Sequence, residues 1–458
     1  MEKLGKPGVL ITTDQFSKDA RMAAEDVGMP TLRMVVLPAK EWYRSRIDAK
    51  MSGDLAEKYF DQVIDALTRP ISQDEAKPKP RAKEVPVLSF RVKARSYELA
   101  VDAMTQLFME KRMSDGLPVV PPTKDMVDWM LTGTSRHPDE VIGTLPPRKG
   151  IATVQKIAIN AVMAGARPEY LPAIIAAVEG LADPHFDGTW WRMSTSSSFP
   201  VIVVSGPLGE ELKMNSGMGL LGYGFRANAT IGRAVQLVTL NMGQTWPDVN
   251  DMAATGRLNS YTFWTFAEDP ESPWESYAEE KGYGPDGNVV VTSVVPSGTM
   301  TVIGGGAVAP WTEQGILDGI IRQISRVGGT TPIWTGVWTV VMHPECARRL
   351  RNKGMSKKDV QKYLWEESKV PVERIDASTL KAIHECLDAG EFMPEVVPLF
   401  REALKPGGKV PVVQTPDHID IIVAGGTAGY TWLFGGVSPN PHHSVKKIAG
   451  ATLTKAGK

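Results

Sequence analysis

Residues 199–205, FPVIVVS, form an uninterrupted apolar run that decides the fold class predicted for this chain. A strand that is apolar on both faces is typical of the centre of a parallel sheet covered by helices on each side. The segment IDIIVA at 419–424 is predicted to be a second central strand, and helical patterns alternate with short strands over much of the sequence. The sequence therefore predicts an α/β fold with mainly parallel sheets.

The chain divides by pattern into a small amino-terminal part, a charged segment and a large region. Two strand patterns, at 8–13 and 32–37, flank a helical pattern, so residues 1–70 are predicted to hold a βαβ half-domain. Residues 71–95 are predicted to be a linker because they are charged and contain prolines. Residues 96–458 are predicted to form a large α/β substrate-binding region, which two subdomains could share.

Composition excludes several classes of protein. The 458 residues carry a formal net charge of -1 at pH 7, which gives no long-range attraction to nucleic acid or to an anionic membrane. No apolar run is long enough to span a bilayer, and the opening residues lack a signal-peptide stretch, so a cytoplasmic location is expected. The two cysteines, Cys346 and Cys386, are spaced for neither a disulfide framework nor a zinc finger.

Residues 215–233, NSGMGLLGYGFRANATIGR, carry the most specific functional signal. Four glycines allow backbone to approach a ligand closely, and the helix predicted to follow offers unpaired N–H groups and its positive dipole end. Arg226 and Arg233 are predicted to hold an anionic group during catalysis. The side chains predicted to orient the ligand are Asn215, Ser216, Asn228 and Thr230. In the alternative interpretation, the glycines only turn the chain and the arginines pair with acidic residues elsewhere.

Further candidates come from earlier segments. Lys156 and Asn160 are four residues apart and share one face of an otherwise apolar helix predicted over 151–164. They could bind or polarise a substrate oxygen, with Lys156 as a catalytic base; alternatively, the lysine extends to solvent and the asparagine satisfies backbone groups. Ser194 and Thr195 belong to a hydroxyl-rich segment, WWRMSTSSSF, and are predicted to line a pocket.

Two glycine-rich turns follow predicted strands, one at 304–309 and one at 424–429, where the sequence is AGGTAG. Residues 304–309 match the spacing GxGxxA, but Pro310 and Trp311 follow at once, and no acidic residue stands where a dinucleotide site requires one. Gly305 and Gly426 are therefore predicted to line a substrate pocket with backbone amides, without specifying NAD.

Metal ligands and cofactors receive little support from the sequence. His343 and Cys346 offer half of a metal site, and the pair 442–443 is isolated from other ligand types. No metal is predicted, and the sequence specifies no cofactor.

Several motifs together resemble one family. GLPVVPPT at 116–123, KIAINAVMAGARPEYLP at 156–172 and RANATIGRA at 226–234 resemble the large region of UGSC-type (seleno)proteins and their associated proteins. GVLITTDQFSKDA at 8–20 and GMPTLRMVVLP at 28–38 resemble the later half of that family's amino-terminal α/β domain. That half-domain is in turn similar to component B of glycine reductase.

The resemblance implies a reactive thiol that this sequence does not contain at the matching place. Family members carry a UGSC motif, with cysteine or selenocysteine, before the equivalent of the first residues here, and neither Cys346 nor Cys386 sits there. We therefore expect a second protein subunit to supply the missing half-domain with its thiol and to dock on residues 1–70.

The activity implied by the resemblance is thiol-assisted cleavage or reduction of a carbon–heteroatom bond in a heteromeric lyase or reductase. In this hypothesis the present chain binds a small anionic organic substrate and stabilises charge, while the partner supplies the nucleophile. Two alternatives remain open. The chain could be a cofactor-free lyase or hydratase that acts alone, or a non-catalytic subunit that stabilises a catalytic partner.

Overall fold

The computed structural model shows helices and strands intermixed along the chain, which confirms the predicted α/β class. In the part of the chain that it describes, no helix is both long and apolar enough to cross a membrane. The residues described are 7–26, 28–42, 49–76, 89–184, 188–247, 249–257, 259–295, 297–302, 312–326, 336–426, 430–435 and 443–451.

The amino-terminal part is a βαβ unit, as the sequence predicts. Its elements are β1 (Val9–Thr13), α1 (Ser17–Asp26), β2 (Arg33–Leu37), α2 (Ala39–Trp42), α3 (Ala49–Thr68) and α4 (Gln73–Ala76). β1 and β2 pair in parallel as a two-stranded sheet. Arg33 ties β2 to the helices, since it donates to the Ala66 carbonyl and pairs with Glu75 at 2.8 Å. Part of the predicted linker, 77–88, lies outside the described residues, so the three-part division stays a prediction.

The large region holds the remaining elements. They are α5 (Tyr97–Glu110), α6 (Lys124–Leu131), β3 (Val141–Leu145), β4 (Gly150–Thr153), α7 (Val154–Met163), α8 (Leu171–Leu181), α9 (Gly188–Met193), β5 (Phe199–Ser205), α10 (Leu208–Glu211), α11 (Arg226–Gly243), β6 (Trp264–Ala267), α12 (Tyr277–Glu280), β7 (Val289–Val295), β8 (Ser297–Val302), α13 (Glu313–Ile324), β9 (Trp338–Met342), α14 (Pro344–Asn352), α15 (Lys357–Glu367), β10 (Val370–Pro371), α16 (Ala377–Asp388), α17 (Val397–Ala403), β11 (Lys409–Val410), β12 (Ile419–Val423), β13 (Tyr430–Gly435) and β14 (Ser444–Lys447).

Local signals set several helix starts. Thr123, a residue type favoured at helix starts, caps α6 by accepting from the Met126 N–H. α11 begins at Arg226, directly after the glycine loop, and so includes the later part of the segment 215–233 as well as the apolar run that follows it. The helix predicted over 151–164 begins only at Val154, because the residues before it pair with β3 as the strand β4.

Two four-stranded sheets form the centre of the large region. The first has the order β14-β7-β5-β6, and the second has the order β12-β9-β13-β8. Within them β5–β6 and β9–β12 pair in parallel, whereas β5–β7, β7–β14, β9–β13 and β8–β13 are antiparallel. The prediction of mainly parallel sheets is therefore wrong. An apolar run indicates burial on both faces, and β5 and β7 are buried along their whole length although they pair antiparallel.

Alternate residues of the central strands face two different cores. Ile202 and Val204 of β5 pack with α7, α8 and α11, whereas Val201 and Val203 pack against the second sheet. In the second sheet, Val341 of β9 faces the first sheet, while its strand neighbours face α13, α14 and α15. The large region is thus built in four layers, helix–sheet–sheet–helix. We call the space between the sheets the inter-sheet layer.

The contact between α11 and the segment entering β6 depends on a glycine. A Cβ at Gly232 would lie 2.1 Å from the Phe263 carbonyl oxygen, so the helix can approach this closely only without a side chain there.

We predict that Gly232→Ala lowers the free energy of unfolding by about 1–3 kcal/mol, because the helix must move away from Phe263. Gly53→Ala in α3 is the matched control, since nothing lies within 4 Å of its added Cβ. There the substitution is expected to raise the free energy of unfolding by about 0.5–1 kcal/mol. Urea denaturation measures both variants, and equal effects at the two positions would contradict the close contact.

Candidate functional site

The predicted glycine loop packs over the carboxyl ends of two parallel strands, β9 and β12. Beyond β12, the Gly425 N–H donates to the Ser216 carbonyl oxygen at 2.6 Å. Next to it, a Cβ on Gly426 would approach the Met218 Cα to 2.9 Å, so loop and turn are in contact. A cavity of about 340 Å³, which we call the glycine cleft, lies here. It is lined by Gly219, Leu220, Leu221, Gly222, Val341, Ala424, Gly425, Gly426 and Trp432.

Asn215 and Asn228 hold the glycine loop in shape. The Asn228 side chain accepts from the Asn215 N–H at 2.8 Å and donates to the Asn215 carbonyl at 3.2 Å. The Asn215 side chain accepts from the Gly217 N–H at 2.9 Å and donates to the Met218 carbonyl at 3.0 Å. Both amides are buried, so their hydrogen bonds fix the path of the backbone that lines the cleft.

The two predicted anion-binding arginines are in different environments. Arg226 is exposed and donates through Nε and Nη2 to the Gly165 carbonyl oxygen, at 3.1 and 2.9 Å. Arg233 is mostly buried and forms a two-point ion pair with Asp115, at 2.8 and 3.0 Å. Arg233 is thus neutralised within the chain, whereas no carboxylate among the described residues pairs with Arg226. Thr230, one turn into α11, donates its hydroxyl to the Arg226 carbonyl.

Lys156 and Asn160 do not share an environment, although the helical spacing places them on one side of α7. Lys156 is exposed, and its Nζ donates to the Ile151 carbonyl at 2.8 Å. Asn160 is buried and accepts from the Asn241 side chain at 2.6 Å.

Ser194 and Thr195 lie in the segment between α9 and β5. The Ser194 hydroxyl accepts from the Ser196 N–H at 3.0 Å, and the Thr195 carbonyl accepts from the Ala254 N–H at 3.2 Å. Gly305 lies outside the described residues. Of the predicted residues, the structure brings Asn215, Ser216, Asn228 and Gly426 together around the glycine loop.

A buried arginine that sequence reasoning missed organises the segment after α9. Arg257 pairs with Asp251 at 2.9 Å, and it also donates to a row of backbone carbonyls, those of Arg192, Ser194, Ser196 and Ser198. We call Arg192, Asp251 and Arg257, with the Trp191 ring beside them, the arginine centre. No sequence spacing connects its members, because they meet only through tertiary contacts.

Arg192 is the more unusual member of the arginine centre. Its side chain is 3% exposed, its Nη2 donates to the Thr239 hydroxyl at 2.9 Å, and its guanidinium lies 4.8 Å from the centre of the Trp191 ring. Burial, reinforced by the positive charge of Arg257, lowers the pKa of Arg192 to about 9.

A second polar cluster lies in the inter-sheet layer. The Ser293 hydroxyl is hydrogen-bonded to His443 Nδ1, and His443 Nε2 lies 2.9 Å from an Asp420 carboxylate oxygen. The Tyr277 hydroxyl donates to the same carboxylate at 2.9 Å, and Lys281 Nζ approaches it at 3.3 Å. We call these five residues the inter-sheet cluster. The histidine looked isolated in the sequence, because its partners come from β7, β9 and β12.

Electrostatics in the inter-sheet cluster favour an ionised carboxylate. Burial alone would raise the pKa of Asp420, but His443, Lys281 and the Tyr277 hydroxyl outweigh that effect and hold the pKa below its usual value. A serine, an imidazole and a carboxylate are thereby connected in series, an arrangement able to move a proton.

Both cysteines of the chain are described, and Cys346 is unsuited to be a nucleophile. It is buried at the start of α14, and its Sγ lies 3.1 Å from His343 Nε2. Burial, aided by the charge of Glu345, raises the pKa of the Cys346 thiol to about 12, so the thiolate is rare at neutral pH. Cys386 is only partly exposed on α16.

The model of the UGSC family matches residues 1–69. The match covers the βαβ unit, and the resemblance drawn from the motifs between 116 and 234 lies outside it and stays a prediction. Comparisons with curated proteins and with solved structures gave no match. The similarity of the half-domain to component B of glycine reductase is likewise still a prediction.

We predict that Asp420→Asn lowers the free energy of unfolding at pH 7 by about 3 kcal/mol or more, because it leaves buried partners without their carboxylate. Since the folded-state pKa of Asp420 is lowered, its stabilisation is present above the unfolded-state pKa, near 4, and is lost as pH falls below it. The wild type should therefore lose more stability than the variant on acidification through that range. Urea denaturation at several pH values measures this.

Asp388→Asn, which removes a surface partner of Arg401, is the control and should change the free energy of unfolding by less than about 0.5 kcal/mol.

We also predict that Cys346 fails to react with an aromatic disulfide reagent in the native protein at pH 8, because its thiol is buried and protonated. Only Cys386 should react before urea is added, and both cysteines should react afterwards. Cys346→Ala identifies the signal of each thiol. Rapid native labelling of Cys346 would show that its burial is not maintained in solution.

Proposed function

We propose that this chain is an enzyme subunit that binds a small anionic organic molecule in the glycine cleft. The observation that carries the proposal is the position of the cleft, at the carboxyl ends of the parallel strands β9 and β12 and beneath a loop of glycines. Ligands in α/β proteins bind preferentially at that edge of a sheet, and glycines let backbone N–H groups reach them.

The anionic character of the ligand is supported by the start of α11. Arg226 opens that helix immediately after the loop, and no side chain caps the helix there. A helix start with unpaired N–H groups and an adjacent guanidinium favours a carboxylate or a similar group. Arg233 supports the site indirectly, because its ion pair with Asp115 anchors the same helix.

Thiol-assisted cleavage or reduction of a carbon–heteroatom bond is the reaction we propose, with the thiol supplied by a second polypeptide. Cys346 is buried with a raised pKa, so it is a poor source of the nucleophile. The match of residues 1–69 to the UGSC family supports that part of the chain as the docking unit, as does the two-stranded sheet among its described residues.

A cofactor-free lyase or hydratase is the second candidate, and the inter-sheet cluster is what favours it. Asp420, His443 and Ser293 would give this chain its own route for moving a proton, without a partner's thiol. Activity of the isolated chain separates the two candidates: it is required by the second and contradicts the first.

We predict that Leu221→Trp abolishes retention of the small molecule, because the larger side chain fills the glycine cleft that Leu221 lines. Leu399→Trp is the matched control, since Leu399 is exposed on α17. Each variant is purified from the native host, and retained small molecules and co-purifying polypeptides are identified by mass spectrometry. The wild type and Leu399→Trp should retain the same organic anion and a thiol-bearing partner. Undiminished retention by Leu221→Trp would contradict the assignment of the cleft.

A further inference from the structure

The arginine centre contains more positive charge than its own carboxylate can balance. Arg192 and Arg257 are both buried, and Asp251 is bound by Arg257 at 2.9 Å. The polar side-chain partner of Arg192 is the neutral hydroxyl of Thr239, and no carboxylate among the described residues pairs with it. A buried charge is costly unless an opposite charge accompanies it. The centre therefore favours an added anion.

Three buried donors point to the same kind of ligand. Arg192 Nε, Trp191 Nε1 and Asn259 Nδ2 have no acceptor within the described ranges. A buried N–H without an acceptor is unfavourable, and such groups are uncommon in folded proteins. All three are donors rather than acceptors, so a ligand rich in oxygen atoms would satisfy them where a cation could not.

Two of these donors belong to one aromatic ring and to the guanidinium beside it. The guanidinium of Arg192 lies 4.8 Å from the centre of the Trp191 ring, and that of Arg257 lies 5.9 Å from it. Asn259 follows Arg257 by two residues in the same loop. The backbone carbonyls nearby are already occupied by Arg257, which leaves Arg192 as the cation able to accept a new partner.

We infer that the arginine centre binds a small oxyanion, with Arg192 as its charged donor and Trp191 Nε1 as a neutral donor. The shared chemistry is a compact group of oxygen atoms, such as the carboxylate of a short organic acid or inorganic phosphate. A guanidinium suits both, since it can donate two parallel hydrogen bonds.

This site is separate from the glycine cleft and goes beyond the proposed function. Arg192 contacts Thr239, near the end of α11, whereas Arg226 begins that helix beside the glycine loop. At the rise of an α-helix these two positions are about 20 Å apart. One anion cannot contact both arginines, so variants at the two ends distinguish the sites.

The test measures the melting temperature and the affinity of the whole chain in acetate and in inorganic phosphate, against chloride at equal ionic strength. The wild type should be stabilised by at least one of the two oxyanions, because a ligand that binds only the folded state raises its stability. The more effective anion shows whether a carboxylate or a phosphate is preferred. Failure of both to act beyond the chloride control overturns the inference.

Two variants of Arg192 locate the effect. Arg192→Met should bind the anion roughly tenfold to hundredfold more weakly, since a charged hydrogen bond is lost. Its melting temperature in chloride should equal or exceed that of the wild type, because an uncompensated buried charge has been removed. If Arg192→Met fails to fold, Arg192→Lys is tested instead. It keeps the positive charge but loses the guanidinium that can donate two parallel hydrogen bonds, so binding should weaken without disappearing. Undiminished affinity in both variants would overturn the assignment.

Controls separate this site from the rest of the molecule. Arg401→Gln, at an exposed arginine of α17, should leave the oxyanion response unchanged. Arg226→Gln distinguishes the two sites: a response retained in it and lost in Arg192→Met supports the arginine centre. The reverse pattern places the anion at the glycine loop and overturns the inference, while leaving the proposed function standing.

Discussion

The structure depends on burying two sheets against each other while helices cover their outer faces. Every central strand then has two buried sides, and any polar group placed in the inter-sheet layer must find its partner there. Asp420 meets this requirement with donors from a histidine, a lysine and a tyrosine. Because those donors come from separate elements of the fold, the carboxylate constrains how the two sheets are placed on one another.

Local features of the fold were predictable from the sequence, and strand pairing in the large region was not. The helix α1 between two strand patterns and the glycine loop before α11 depend on patterns of neighbouring residues, so short-range chemistry is enough to predict them. Strand direction depends on which runs meet in space. The apolar run at 199–205 reports only that both of its faces are buried, and its neighbours are one parallel and one antiparallel strand.

The residues of the candidate site also fall into two groups, those visible in the sequence and those that only the fold brings together. A glycine loop before a helix and a glycine turn after a strand were each visible in the sequence, and the structure joins them at the glycine cleft. The arginine centre and the inter-sheet cluster could not be predicted from the sequence, because their members are drawn from distant segments. A buried charged residue that has a counter-ion within the chain has a structural role, whereas one without such a partner is a candidate for binding a ligand. Arg233 has Asp115 and buried Lys357 has Glu280, whereas Arg192 pairs with no carboxylate in the part of the chain that the structure describes.

The chain passes between the two sheets more than once, and this has a consequence for its synthesis. β7 belongs to the first sheet, and β8, which begins two residues after β7 ends, belongs to the second sheet. After β13 has joined the second sheet, β14 returns to the first sheet and pairs with β7. The first sheet and His443 in the inter-sheet layer therefore cannot be completed on the ribosome until translation has passed residue 447. Until then β7 has an open edge, a period in which a nascent chain is most exposed to wrong strand pairing and to chaperone capture.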